Sequence, residues 1–395
     1  MWLEYALDKD NNLVSVHDVK RGRSKIRCPY CQGELTAKKG KVKAHHFAHL
    51  NDTCNRVKST DYKGLALYDR FDLGIKPKVL KSLLDIWEKR KTNNPFITEH
   101  YRYLESLEIV TYNEFKGRWG GYELTKLGKL VVGGLSLMLF NQVQEQRILE
   151  QLSELEQDLL AQKDFLGICN QPFYETSVKA EKQTLKDAIT DYQIYLLQYK
   201  RILANSLYFL EIKADGELYH KIGITTRAIE QRIEEIKREL AKYFDSVSIK
   251  GLGVWQHRGN VEYYFKYRYR RFNHRIGSFT EYFKFDDLKP VLRDLKRMKP
   301  KKLSNREQEI LDNKPFDKVL LSLYIRHGMQ KSKEESIHIG RPKGETESTK
   351  KFLSKPKNKE IATVLKKGLS LRQAAKESDS SINTVRKVKE ALEKK

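Results

Sequence analysis

The chain has 395 residues, with 76 lysines and arginines against 52 acids, and a formal net charge of +24. Such an excess favours a polyanionic partner, gripped through counterion release. No apolar run approaches the ~18 residues of a membrane helix, and neither a signal peptide nor a basic amphipathic anchor opens the chain, so membranes are set aside and a cytoplasmic protein is expected. Three of the four cysteines fall in the first 54 residues beside histidines, which points to metal and not to disulfides. Two to four domains are expected at this length.

Residues 1–60 open with short strands at Trp2 to Leu7 and Leu13 to Val16. Cys28-Pro29-Tyr30-Cys31 is a turn that aims two thiolates at one ion. A hairpin over Glu34 to Lys43 leads to His45-His46-Phe47-Ala48-His49, and Cys54 follows. Four of Cys28, Cys31, His45, His46, His49 and Cys54 would complete a tetrahedron around Zn²⁺. Cys28 and Cys31 are favoured, with two from His46, His49 and Cys54. A ribbon this short buries too little core to fold alone, so the ion would be structural. The run Cys-Pro-Tyr-Cys … His-His-Phe-Ala-His resembles the N-terminal zinc segment of CoiA-like competence proteins, which precedes nuclease domains there.

Residues 61–137 predict a helix from Pro77 to Lys91, a second from Ile97 to Leu107 and a strand at Ile109 to Tyr112. A loop with Lys116, Arg118 and Trp119 then turns into Tyr122-Glu123-Leu124-Thr125-x-x-Gly128. This order is similar to winged-helix domains, whose second helix enters the major groove. That helix carries Glu99, Glu105 and Glu108, which repel phosphate, so a protein-contact role stays open beside a DNA-contact one.

Over residues 138–204, Ile148, Leu152, Leu155 and Leu159 recur at heptad spacing from Val143 on, and so do Leu185, Ile189, Tyr192, Leu196 and Tyr199. Two such stretches around a break suggest an antiparallel helical hairpin that projects as a spacer or self-associates. Cys169, in the break, reads as a loop or core thiol.

Residues 205–290 begin with a strand, Leu207 to Ile212, a turn at Ala214-Asp215-Gly216-Glu217, and a second strand, Leu218 to Thr225. A helix with Arg227, Arg232 and Arg238 follows, then a strand from Val247 to Val254, a helix from Gly259 to Phe272, and Phe279 to Phe283. The segment resembles a GIY-YIG nuclease domain. Leu207-Tyr208-Phe209 stands for the first motif and Lys221-Ile222-Gly223 for the second. The resemblance implies Tyr208 on the attacking water, Arg232 on the phosphate and Glu262 on a catalytic Mg²⁺, with Lys221 where the family has its second tyrosine. Tyr219 or His220 is an alternative for that last role. Ile236 stands where the family has a histidine, Asn273 is a candidate for its late asparagine, and Glu281 is a second candidate metal carboxylate. Tyr263 to Tyr269 interleave with Lys266, Arg268, Arg270, Arg271 and Arg275, bases that would face phosphate or snorkel from a half-buried helix.

Residues 291–338 form a basic helical connector with a capping box at Ser304 and Glu307, and a Lys/Ser/Gly/Pro-rich linker is expected over 327–357. Residues 339–395 hold Gly340-Arg341-Pro342 and three helices, Lys359 to Lys366, Leu371 to Glu377 and Ile382 to Leu392. Together they resemble the DNA-binding tail of serine recombinases. Carried over, Arg341 enters the minor groove, and Ser381, Asn383, Thr384, Arg386 and Lys387 face the major groove or its phosphates.

The expected fold class is α+β multidomain: a small GIY-YIG-type mixed sheet with flanking helices, plus a zinc ribbon, winged helix, helical hairpin and helix-turn-helix. The expected function is a phosphodiester hydrolase, a metal-dependent endonuclease acting on double-stranded DNA. The alternative is a DNA-binding regulator or architectural protein with an inert central fold.

Overall fold

The computed structural model describes residues 3–40, 45–58, 64–68, 71–90, 101–115, 120–168, 175–312, 314–336 and 347–393. Two compact units are present, residues 1–319 and 320–395. The fold is mixed α/β, with small antiparallel sheets and 15 helices among the described residues.

The first unit begins with β1 (Tyr5–Leu7), β2 (Leu13–Ser15), β3 (Gly22–Arg27), β4 (Glu34–Lys38) and β5 (His46–His49), ordered β2-β1-β3-β4-β5, before the short α1 (Asn55–Lys58). Tyr5, Ala6, Ile26, Leu35 and Phe47 fill its interior. β3 was not foreseen, because Ile26 is the one apolar residue in its Gly-Arg-Ser-Lys-Ile-Arg sequence.

α2 (Pro77–Arg90), α3 (Tyr101–Ser106), β6 (Val110–Asn113), β7 (Gly121–Leu124) and α4 (Lys126–Val131) come next. Val79, Leu83, Leu104, Ile109 and Leu124 share one core. Lys116, Arg118 and Trp119 of the expected loop tip, and Glu99 of the second helix, lie outside the described residues.

α5 (Leu137–Ile168) and α6 (Glu175–Ala204) pair as a hairpin, with Cys169 outside the described residues. A projecting spacer is not what forms. α5 starts six residues before the expected Val143, because Leu137 and Phe140 plunge into the core of the central sheet. On α6, Ile194 and Leu197 pack against the first sheet, and Asp191 takes a hydrogen bond from Tyr30 and pairs with Arg56. Among the described residues, Ile148, Leu152 and Leu159 of α5 and Tyr192 and Tyr199 of α6 are buried within the chain.

The central sheet holds β8 (Ser206–Ala214), β9 (Glu217–Thr225), β10 (Val247–Trp255), β11 (Asn273–Ile276) and β12 (Phe279–Phe283), with α7 (Ile229–Leu240) between β9 and β10 and α8 (Val261–Arg268) after β10. Its order is β10-β8-β9-β12-β11. A mixed sheet was expected, yet every described pairing is antiparallel, since hairpins join β8 to β9 and β11 to β12 and α7 returns β10 against β8. Strand alternation divides β8. Leu207 and Phe209 face a core with Phe140, Tyr264 and Phe265, while Tyr208, Leu210 and Ile212 face Ile236 and Leu240 of α7. α8 stops at Arg268, short of the expected Phe272, and a 3-10 turn takes over at Arg270–Phe272.

α9 (Lys289–Arg297) buries Val291 and Leu295 in the same core as α8, and α10 (Asn305–Leu311) starts with the Ser304/Glu307 capping box. α11 (Phe316–Glu334) occupies the start of what was expected as linker, and α12 (Thr349–Ser354) its later part. In the second unit α13 (Pro356–Lys366), α14 (Leu371–Glu377) and α15 (Ile382–Glu393) close on Ile361, Ala374, Val385 and Val388, with Phe352 and Leu353 of α12 added. Gly368 ends α13 at φ +79°, and Ser370 caps α14. Ile382, the first residue of α15, is 41% exposed and stays outside this core.

Candidate catalytic and metal-binding sites

β8 and β9 place Tyr208 opposite Gly223. A Cβ at Gly223 would lie 2.3 Å from the Tyr208 hydroxyl, so glycine is what lets the ring lie across β9. The ring is 1% exposed, and its oxygen accepts a hydrogen bond from Arg232 Nε at 3.4 Å. Burial pushes the Tyr208 pKa up and Arg232 only partly opposes it, so the phenol stays protonated at neutral pH. Arg232, on α7, is also paired with Glu235 at 2.8 Å and Glu239 at 3.6 Å.

Lys221 shares the β9 face of Gly223, two residues away. It is 1% exposed, with its ammonium 4.5 Å from the Tyr282 ring centre and donating to Glu281 Oε2 at 2.7 Å. Burial lowers its pKa, against the pull of Glu281. β12 pairs Tyr282 with Lys221 and so sets Glu281 beside it. Although burial pushes the Glu281 carboxyl up, Lys221 and Lys266 hold it down at about 2. Lys266 Nζ donates to Glu281 Oε1 at 3.1 Å and to Glu262 Oε1 at 2.9 Å. Glu262 is thus joined to Lys221 through Lys266 and Glu281, and the charges of both glutamates act on Tyr208.

The start of α8 is fixed from α5. Asn260 Nδ2 donates to Asn141 Oδ1 and Gln144 Oε1, each at 2.8 Å, and Arg258 pairs with Glu145 at 2.6 Å. Next to Glu262 on α8, Tyr263 meets Tyr68 edge-on at 4.9 Å between ring centres. Neither Asn260 nor its α5 partners carry a local signal, because their meaning lies in a contact more than a hundred residues away in sequence.

Other candidates serve packing. Tyr219 stacks among Phe244 and His274, and His220 lies against Phe209 in the opposite core. Ile236 is fully buried, and Asn273 ties β11 to β12 by donating to the carbonyls of Thr280 and Tyr282. The bases of α8 and of the 3-10 turn after it mostly have internal partners instead of forming a phosphate-facing row. Arg268 pairs with Asp294, Arg270 donates to the Tyr267 carbonyl, and Arg271 pairs with Glu88.

In the first sheet Cys28, Cys31, His49 and Cys54 bring their ligand atoms within 4.8 Å of one another. Cys28 and Cys54 sulfurs are 3.9 Å apart, and Cys31 Sγ is 3.3 Å from His49 Nε2. The knuckle is a tight turn: Gln32 N–H donates to the Cys28 carbonyl, Gln32 takes φ 63°, and Gly33 N–H donates to Cys31 Sγ at 3.4 Å. Burial, with smaller contributions from Cys54 and Cys31, pushes the Cys28 thiol up to about 12. Three sulfurs and one imidazole at this spacing fit a closed tetrahedral zinc site. His46 stands outside the cluster and is buried. Three residues apart on a strand, His46 and His49 point to opposite faces.

In the second unit Asn383, Arg386 and Lys387 are exposed on α15. Ser381 is used as its cap, accepting from Thr384 N–H at 3.2 Å, with the two hydroxyls 2.9 Å apart. Arg341 lies outside the described residues. Among the described residues no helix is long and apolar enough to cross a membrane.

Residues 11–56 match the family of competence protein CoiA, N-terminal domain, and residues 205–299 match the T5orf172 domain. The T5orf172 domain is associated with nuclease-like and DNA-binding functions, and CoiA with competence. No curated protein and no solved structure matches the chain. The two matched segments therefore cover the Cys/His segment and the central sheet with Tyr208 and Lys221, together with α8, which carries Glu262.

Proposed function

We propose that the chain is a metal-dependent endonuclease of GIY-YIG type acting on double-stranded DNA. The supporting observation is that the Tyr208–Arg232 hydrogen bond, with Arg232 on α7, adjoins through the Lys221 charge a chain Lys221–Glu281–Lys266–Glu262 that runs by way of β12 to α8. In this reading Arg232 exchanges a carboxylate partner for phosphate oxygens, for which its planar fork is suited. Tyr208, a neutral phenol, orients the attacking water by a hydrogen bond. Lys221 is a buried cation that offsets charge developing on the phosphate. Glu262 and Glu281 offer hard oxygen donors from two elements, which fits Mg²⁺, an ion that keeps several waters and needs few protein ligands. Such an ion, when bound, supplies polarisation of the phosphate and stabilisation of the leaving oxygen.

The remaining modules would supply targeting and support. Residues 1–60 act as a zinc-stabilised ribbon, 61–137 as a winged helix, 138–204 as the hairpin, 205–290 as the catalytic domain, 291–338 as a basic connector and 339–395 as a helix-turn-helix reader with Arg341 in its arm. Asn383, Arg386 and Lys387 are then the base- and phosphate-contacting side chains, while Ser381 and Thr384 set the start of their helix. Linked weak readers raise the local concentration of the hydrolase at its site. Incubation of supercoiled plasmid with the protein tests the reading. Nicked or linear DNA should form with Mg²⁺, and not with EDTA or with Arg232→Ala. Binding of plasmid without cutting under every divalent ion tried would favour a DNA-binding regulator instead.

A further inference from the structure

Lys266 lies one helical turn after Glu262, and a Glu–Lys pair at that spacing is ordinary on an exposed helix. This one is not exposed in the ordinary way. The Glu262 side chain is 10% accessible, and the lysine reaches past it to a carboxylate on a different element, Glu281 of β12. The same ammonium is 2.9 Å from Glu262 and 3.1 Å from Glu281, and Lys221 holds the other Glu281 oxygen at 2.7 Å. One cation of the chain therefore sits between the two oxygens that would otherwise face a divalent ion together.

We propose that Lys266 is an internal cation seated on the Glu262/Glu281 pair, which a divalent ion must displace, and that a substrate phosphate promotes the displacement. The proposal rests on Glu262 and Glu281 being the ion-binding carboxylates. In the free protein the pair is already neutralised, so an added ion gains little and meets the repulsion of an ammonium beside it. A DNA phosphate beside Arg232 gives Lys266 another anion to pair with and frees the carboxylates. Ion and DNA then strengthen each other's binding by the same factor, as linkage requires. The consequence for the chemistry is that the ion is admitted with substrate and not before it.

The test is Mn²⁺ titration of the full-length, zinc-loaded protein, with free Mn²⁺ read by electron paramagnetic resonance. Lys266→Met keeps the apolar stem of the side chain and removes its charge, and Lys266→Gln is a second variant should the first fold poorly by circular dichroism. Wild type is expected to bind Mn²⁺ weakly, and either variant at least ~10-fold more tightly, the equivalent of about 1.4 kcal/mol. Adding Glu281→Gln to Lys266→Met should remove that gain. A phosphorothioate duplex should tighten Mn²⁺ binding to wild type and much less to Lys266→Met. Unchanged or weaker Mn²⁺ binding by folded Lys266 variants overturns the proposal. Cleavage is scored separately on plasmid. If the Lys266 variants gain Mn²⁺ affinity and nothing cuts DNA, the gate stands and the nuclease reading fails. If wild type cuts and the variants show no gain, the reverse holds.

Discussion

A methyl group added at Gly223 would land 2.3 Å from the Tyr208 hydroxyl, within the fully buried seam of β8 and β9. Gly223→Ala must therefore push the ring off its place or part the strands. Overpacking of this kind costs about 1–3 kcal/mol, to be read as a lowered melting temperature. Because it also moves Tyr208 away from Arg232, single-turnover cleavage should fall ~100-fold, in line with the loss of a group that orients the attacking water. A variant that melts early yet cuts at the wild-type rate would remove Tyr208 from the mechanism. At this scale the sequence was informative where a residue type has one chemical use. Tyr208, Arg232 and Glu262 are candidates that the GIY-YIG resemblance implies, a resemblance carried by the order of short motifs. Lys266 could be named as a base on a helix, but its second partner, Glu281, comes from a strand fifteen residues on, and local spacing carries no trace of that. The separation of His46 from His49 was legible in principle, since strand parity places them on opposite faces.

At the scale of elements, α10 is tied to α6 by a buried carboxylate. Glu307 accepts hydrogen bonds from Tyr199 at 2.5 Å and from Ser304 N–H at 2.9 Å, and pairs with Lys301 at 2.8 Å. Although burial opposes it, these partners hold its pKa down from 4.5 to about 2. A carboxyl depressed on folding adds stability that is complete above its unfolded pKa and is lost as pH falls through the folded one. The contribution from Glu307 should thus be present above pH 4.5 and disappear between there and about pH 2. Glu307→Gln should flatten this part of the stability–pH curve in chemical denaturation; a curve of unchanged slope would refute the assignment. The Cys/His sheet gives a second prediction. Elemental analysis should find one zinc per chain, and Cys54→Ser or chelation should abolish hydrogen-exchange protection across β3–β5 while β8 and β9 stay protected. This follows if the four candidate ligands from the β3–β4 turn, β5 and the residue before α1 are held together by an ion. Retained protection in metal-free protein would show that the core of Tyr5, Ile26 and Phe47 suffices. Helices and hairpins announced themselves by periodicity here, whereas β3, with one apolar residue in six, did not.

For the molecule as a whole, the charge of +24 is uneven: from Ile339 onward there are 16 lysines and arginines against 7 acids. A chain ending before Ile339 should keep divalent-dependent cutting of plasmid but bind duplex more weakly. Its plot of log affinity against log salt should also be shallower, by ~0.9 for each phosphate that the tail no longer neutralises. An unchanged salt slope would exclude the tail as a DNA-binding element. What the sequence concealed at this scale is the use of the hairpin. Its heptad pattern is the same whether the seam is closed by a second chain, by solvent-exposed pairing, or by the rest of the protein. Only the packing of Phe140 on Tyr264, and the bonds of Asp191 to Tyr30 and Arg56, show that α5 and α6 carry the Cys/His sheet and the central sheet together.

The hydrolytic assignment is met most directly by measuring equilibrium binding and single-turnover cleavage on one duplex for wild type, Arg232→Ala and Glu262→Gln. Wild type should cut only with a divalent ion. Each variant should lose ~10³-fold in rate, as when a group stabilising transition-state charge is removed, with binding within ~3-fold of wild type. Cutting that survives both substitutions, or a wild type that binds and never cuts, would contradict it.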